Sequence, residues 1–197
     1  MPLDASHFRL FLLEDFLEVD VCRDLTSRLA ASPTNPATIY GAAESASVVG
    51  AVRRTSRIVP PPEIVQLIER RLTARQKEIA SHYGINIEHH EEPQFLRYHT
   101  GDFFVAHQDG NTGMIQTETE RWRKISVVIF LNQHSETAQD GTYAGGALVF
   151  TEWRRRPHGQ LHFYGKPGSL VAFPSETTHE VIPITHGERY SIASWYG

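Results

Sequence analysis

The chain has 197 residues, 40% of them apolar and 21% charged, with a formal charge of -4, so one compact domain burying about 70% of its unfolded surface is expected. That acidic balance excludes a broad electrostatic attraction to nucleic-acid phosphates, and nucleic acid is not an expected partner. Cys22 is the only cysteine, which excludes an intramolecular disulfide and a thiolate cluster, so any metal must be held by nitrogen and oxygen.

The acidic N-terminus carries an apolar stretch, Phe11 to Leu13, too short and too charge-flanked for a secretory signal or a membrane span. A cytoplasmic protein with no membrane partner is expected. Val21, Leu25 and Leu29 recur at helical spacing after Asp20, a candidate cap, and Pro33 to Pro36 end that helix. Gly41 to Ala51 is rich in Gly, Ala and Ser and predicts an extended or mobile segment leading into Arg53. Pro60, Pro61 and Pro62 open the clearest helix, in which Ile64, Ile68, Leu72, Ile79 and Tyr83 share a face and Gly84 supplies the stop. Its apolar stripe should pack flat against a sheet.

From Pro93 the texture becomes β-branched and aromatic, broken by Gly, Pro, Asn and Asp. Strands are expected at Gln94 to Tyr98, Phe103 to His107, Ile125 to Leu131, Ala147 to Glu152, Leu161 to Tyr164, Ser169 to Phe173, Glu180 to Ile184 and Arg189 to Trp195. Short strands after a helical leader predict a mixed α+β, β-rich fold, a double-sheet jelly roll braced by N-terminal helices. No repeat or linker divides the chain. Residues 1–92 are read as mainly helical support and substrate-side segment, and 93–197 as the catalytic core.

His107 and Asp109 end the strand beginning at Phe103. Residues two apart on a strand share a face, so an imidazole and a carboxylate there can meet one ion. Spacing alone is weak, because His89, His90, His134 and His186 also stand two before a glutamate. His107 differs in ending a strongly patterned strand, in preceding Asp-Gly, and in having a third ligand candidate, His179, at the start of a later strand. Two histidines and a carboxylate on one face of a metal are the mark of non-haem Fe(II) oxygenases. A turn hydrogen bond between His107 and Asp109, with His179 on the surface, would leave the same spacing. Arg189 opens an apolar strand ten positions after His179. A buried guanidinium needs an anion, either a ligand carboxylate held bidentately or an edge-strand partner, Glu188 or Glu180.

Six blocks then occur in order: Arg53 to Ser56, Gln94 to Gly110, Lys124 to Asn132, Gly145 to Phe150, Gly168 to Phe173 and Arg189 to Tyr196. In these blocks the chain resembles the prolyl 4-hydroxylase-like branch of the Fe(II)/2-oxoglutarate-dependent dioxygenases. The resemblance implies a double-stranded β-helix core, with iron held by His107, Asp109 and His179. It also implies that Arg189 binds the distal carboxylate of 2-oxoglutarate, that Tyr98 hydrogen-bonds this cosubstrate and that Ser191 assists. O2 is the second cosubstrate, and ascorbate is the further small molecule that the resemblance brings into consideration. Phe130 and Phe104 stand where some members carry tyrosine, so neither can donate a hydrogen bond to the cosubstrate.

The reaction so implied is hydroxylation of an aliphatic carbon, with release of succinate and CO2. A prolyl residue in a protein or peptide leads the substrate classes, ahead of a free amino acid or natural-product intermediate. Asp109 argues against a halogenase, which would lack that carboxylate. Arg189 argues against a jelly-roll hydrolase or isomerase, and the intact ligand set against a silent metal-binding module. The acidic balance argues against a nucleic-acid demethylase. Segments 41–51 and 110–122 are expected to form a lid, and Arg154 to Arg156 a solvated charge run.

Overall fold

The computed structural model describes residues 5–37, 39–41, 43–47, 52–110, 122–137, 139–152 and 159–197. Its first part contains β1 (Phe11–Leu13), α1 (Val19–Ala30), β2 (Thr34–Pro36), β3 (Ile39–Gly41), β4 (Ala43–Ser47), β5 (Arg53–Arg54), β6 (Ser56–Ile58) and α2 (Pro62–Tyr83). There follow β7 (Gln94–Tyr98), β8 (Phe103–His107), β9 (Ile125–Phe130), β10 (Tyr143–Gly145), β11 (Leu148–Glu152) and β12 (Gly159–Phe163). The chain closes with β13 (Leu170–Pro174), β14 (His179–Val181), β15 (Ile184–Gly187) and β16 (Arg189–Tyr196). Residues 42, 48–51 and 111–121 of the two segments expected to form a lid, and the Arg154 to Arg156 run, lie outside the described residues.

A seven-stranded sheet, ordered β1-β13-β9-β16-β7-β6-β2, faces a five-stranded sheet ordered β12-β11-β14-β8-β5. Every pair of neighbouring strands in both is antiparallel, as the jelly-roll expectation requires. Alternation divides the larger sheet between two cores. Phe95, Val127, Ile129, Tyr190 and Ile192 point to one side, where they meet Leu25 and Leu29 of α1 and Ile64, Ile68, Leu72 and Ile79 of α2. Leu96, Tyr98, Phe130, Val171 and Phe173 point to the other, against Leu148, Phe150 and Val181. The helix on this sheet is secured at two points by buried phenols: Tyr196 donates to Leu72 O (2.8 Å) and Tyr83 to Ala172 O (2.8 Å).

α2 begins and ends where the pattern predicts, with proline at its start and Gly84 left-handed (φ 65°) at its end. α1 starts earlier than expected. Glu18 is its N-cap residue, without a side-chain capping bond, while Asp20 lies within the first turn and does not cap. The strand expected over Glu180 to Ile184 is two strands, β14 and β15, which belong to different sheets. Pro183 lies between them and has no N–H for a ladder. β10 was not foreseen, nor were the leader strands β1, β2, β5 and β6, which extend both sheets. Among the described residues, no helix is long and apolar enough to cross a membrane.

Candidate metal centre and cosubstrate pocket

β8 and β14 are paired, with His107 opposite His179. This register brings two imidazoles together, with ring centroids 4.3 Å apart and planes tilted by 54°. Asp109 follows β8 in a turn held by Ser175, whose carbonyl accepts the N–H groups of Asp109 (2.9 Å) and Gly110 (3.1 Å). Its carboxylate stands 3.4 Å from His107 Nε2 through Oδ1 and 3.5 Å from His179 Nε2 through Oδ2. The ligand atoms of all three residues lie within 4.8 Å of one another. The turn pairing of His107 with Asp109 and the convergence with His179 therefore coexist, and His179 is buried.

Both imidazoles are oriented from behind. His107 Nδ1 donates to Val105 O (2.8 Å) and His179 Nδ1 to Thr177 O (2.9 Å). A carbonyl only accepts, so each Nδ1 carries the proton and each Nε2 turns a lone pair to the centre. Burial pushes His179 down to about 4, reinforced by the neighbouring His107, and the ring is neutral at neutral pH. Burial opposes the charge on Asp109, but attraction to the His179 and His107 rings, which acts through their protonated forms, outweighs it and holds the carboxyl well below the usual carboxylate range. Ser126 donates to Asp109 Oδ2 (2.7 Å). Phe104 stacks on His107 with centroids 3.6 Å apart. Two neutral nitrogens and one carboxylate oxygen suit a divalent first-row metal such as Fe(II), and leave its opposite face to other ligands.

These residues line a cavity of about 230 Å³ between the two sheets. Arg189, Ser191, Ala193 and Trp195, alternate residues of β16, lie along its wall, with Tyr98 opposite Arg189 in the register. Arg189 is 1% exposed. Its Nε and Nη2 have no hydrogen-bond partner, and no carboxylate pairs with it among the described residues. Glu188, the edge-strand candidate, instead accepts from Tyr190 (2.6 Å) and stands 2.8 Å from His99 Nδ1. The rings of Tyr98 and Phe130 lie 5.3 and 5.1 Å from the guanidinium carbon. A buried cation among aromatic faces fits an anion arriving from the cavity, the donor geometry a carboxylate of 2-oxoglutarate would use.

Sequence reasoning did not single out Ser126, Ser175 or Arg123. The Arg123 guanidinium is ion-paired with Glu91 (Nη2 to Oε2, 2.7 Å) and covers the Trp195 ring at 4.0 Å. A serine within an apolar strand and an arginine before it carry no motif. Only the closure of β9 against β16 and the 109–110 turn brings them to the centre.

The family model described as the 2OG-Fe(II) oxygenase superfamily matches residues 93–197. A PKHD-type hydroxylase of Shewanella oneidensis is 34% identical over 108 residues, covering 52% of this chain and 41% of that protein. One from Janthinobacterium sp. (strain Marseille) is 30% identical over 104 residues, covering 52% and 42%. The chain thus spans about two fifths of the length of the curated relatives it matches. In fold it is similar to a Pseudomonas putida prolyl-4-hydroxylase, with TM-score 0.70 and 22% identity over 98% of this chain and 94% of that one. It is also similar to the prolyl hydroxylase of Trichoplax adhaerens, solved with a hypoxia inducible factor oxygen degradation domain peptide fragment. There the TM-score is 0.68 and the identity 16%, over 98% and 84% of the two chains. These likenesses agree with the prolyl 4-hydroxylase-like resemblance and with the jelly-roll fold. With more than half of its length matched by the family model, the chain belongs to the 2OG-Fe(II) oxygenase superfamily, whose cofactor and cosubstrates are Fe(II), 2-oxoglutarate and O2.

Proposed function

We propose that the chain is a 2-oxoglutarate-dependent dioxygenase that hydroxylates an aliphatic carbon, with a prolyl residue of a protein or peptide as its substrate. The observation that carries this reading is the buried, carboxylate-free Arg189 on the wall of the cavity that His107, Asp109 and His179 also line. Fe(II) and 2-oxoglutarate, when bound, supply the redox chemistry in which O2 is consumed, the keto acid becomes succinate and CO2, and one oxygen atom enters a substrate C–H bond.

The chain's own residues bind, orient and exclude. His107 and His179 hold the metal through Nε2, with tautomers set by the Val105 and Thr177 carbonyls. Asp109 offsets one of its two charges, with Ser126 limiting its rotation. Arg189 holds the distal carboxylate of the cosubstrate, Tyr98 lies across the strand pair to orient it, and Ser191 assists on the same face as Arg189. Leu96, Val128, Leu148 and Val181 give the cavity apolar walls that keep water from the reacting groups. The PKHD-type hydroxylase relatives and the prolyl hydroxylase folds support the substrate class.

Anaerobic addition of Fe(II) and 2-oxoglutarate should give the weak visible absorbance of a metal-chelated keto acid. His107→Ala, Asp109→Ala and His179→Ala should each lose that band and all turnover while keeping the fold. Prolyl peptides should stimulate succinate release by the wild-type protein. A variant with a normal band and normal turnover at limiting iron would remove that residue from the centre, and stimulation by free amino acids alone would overturn the prolyl substrate.

A further inference from the structure

Beside Arg189 stands a second buried polar group that the reading above does not use. Tyr143, the first residue of β10, is 0% exposed, and its hydroxyl finds no acceptor among the described residues. Folded proteins rarely leave a buried hydroxyl so, because the lost hydration is not recovered. Arg189 Nε and Nη2 are in the same condition.

The two side chains are neighbours across one glycine. A Cβ on Gly146 would lie 3.3 Å from Arg189 Cδ and 3.4 Å from Tyr143 Cε2, besides colliding with Ile184 Cδ1 at 2.2 Å. Gly146, at φ 61°, therefore lets the arginine stem and the phenol ring lie close together. β10 pairs with β15 so that Tyr143 stands opposite Gly187, two residues before Arg189. Phe130, the other ring close to the guanidinium, has no hydroxyl to offer.

A guanidinium only donates, whereas a phenol donates one proton and its oxygen can accept from the guanidinium beside it. Burial pushes the Tyr143 phenol up, against the Arg189 charge and hydrogen bonding from it, and it keeps that proton at neutral pH. The phenol proton and the Arg189 N–H groups that lack an acceptor together call for a group with several lone pairs, and a carboxylate provides them.

We propose that Tyr143 is a cosubstrate-binding residue, whose hydroxyl donates a hydrogen bond to the same distal carboxylate that Arg189 holds. The inference rests on the reading of Arg189 given above. It makes the phenol, supplied from β10, a means of selecting a 2-oxo dicarboxylate over a 2-oxo acid with one carboxylate. The hydroxyl's unmet bond in the structure is then a cost tolerated for binding.

The test compares wild-type protein, Tyr143→Phe and Arg189→Met, each loaded anaerobically with Fe(II) and titrated by visible absorbance. The two ligands are 2-oxoglutarate and 2-oxopentanoate, which has the same chain length but no distal carboxylate. Tyr143→Phe should bind 2-oxoglutarate about tenfold more weakly and 2-oxopentanoate as the wild type does. In the metal- and ligand-free state it should melt no lower than wild type. An unchanged preference for 2-oxoglutarate, an equal loss for both acids, or a lower melting temperature of the ligand-free variant would each overturn the proposal. The last would mean that the hydroxyl supports the fold. If the wild type shows no preference between the acids, or Arg189→Met retains it, the reading of Arg189 fails and this inference with it. If only Tyr143→Phe retains the preference, the inference alone fails.

Discussion

Arg189 and the metal-centre residues face opposite electrostatic problems. His179 is buried as a neutral ring, and the Asp109 carboxylate accepts from the Ser126 hydroxyl. Arg189 is a cation that cannot deprotonate, removed from water without a carboxylate among the described residues. Its aromatic neighbours offset part of that cost through their ring faces. Arg189→Met should therefore leave the metal- and ligand-free protein equally or more heat-stable, since an apolar chain of similar volume replaces an unpaired buried charge. The same change should weaken 2-oxoglutarate binding about ten- to a hundredfold, the worth of a charge-assisted contact. Scanning calorimetry and anaerobic titration measure the two effects. A fall in stability with unchanged affinity would show an ion pair serving the fold.

Among the elements, the strands place the chemistry and the turns between them set how the layers dock. β16 does both, turning Tyr190, Ile192 and Tyr196 to the helices and Arg189, Ser191, Ala193 and Trp195 to the cavity. The turn before β13 is held against the approach to α1, where Leu17 N–H donates to Gly168 O (3.0 Å). Gly168 has φ 85°, and a Cβ there would lie 2.1 Å from the Leu17 carbonyl oxygen. Gly84 also has a positive φ (65°) but nothing within 4 Å of its Cβ position. Gly84→Ala should thus cost about 1 to 2 kcal/mol from backbone strain alone, a fall in Tm of roughly 2 to 8 °C. Gly168→Ala adds a collision with backbone, which cannot rotate away, and should lower Tm clearly further. Equal Tm values for the two variants would mean that the turn moves freely off α1.

At the scale of the molecule, the centre is assembled from both halves of the sheet sandwich. His107 and His179 come from the five-stranded sheet, while Arg189 and Tyr98 come from the seven-stranded one. Ligands that touch both layers bind the folded state alone, and linkage then raises stability. With Mn(II) and 2-oxoglutarate each at a hundred times its Kd, each ligand should contribute about 2.7 kcal/mol, an increase of roughly 5 to 10 °C in Tm apiece. EDTA should reverse both increments, because the keto acid needs the metal to be held at its other end. An undiminished Mn(II) shift in His179→Ala would place the metal elsewhere.

Local periodicity determined the extent of α2, of β7 and β8 and nearly all of β16, because each carries its own spacing of apolar residues between proline or glycine stops. The convergence of His107, Asp109 and His179 and the burial of Arg189 were legible too, the first two residues from strand spacing and the others from their place at strand starts. β10 and the leader strands β1, β2, β5 and β6 were not, since they are pieces of two or three residues, at or next to sheet edges, too short to carry a period of their own. The division between β14 and β15 depends on which sheet each joins. Ser126 gave no signal because a hydroxyl in an apolar strand acquires meaning only when the 109–110 turn delivers a carboxylate to it. For the same reason Tyr143 reads in the sequence as one more core aromatic. Only the tertiary structure, which brings distant strands together, places its buried hydroxyl beside a buried guanidinium.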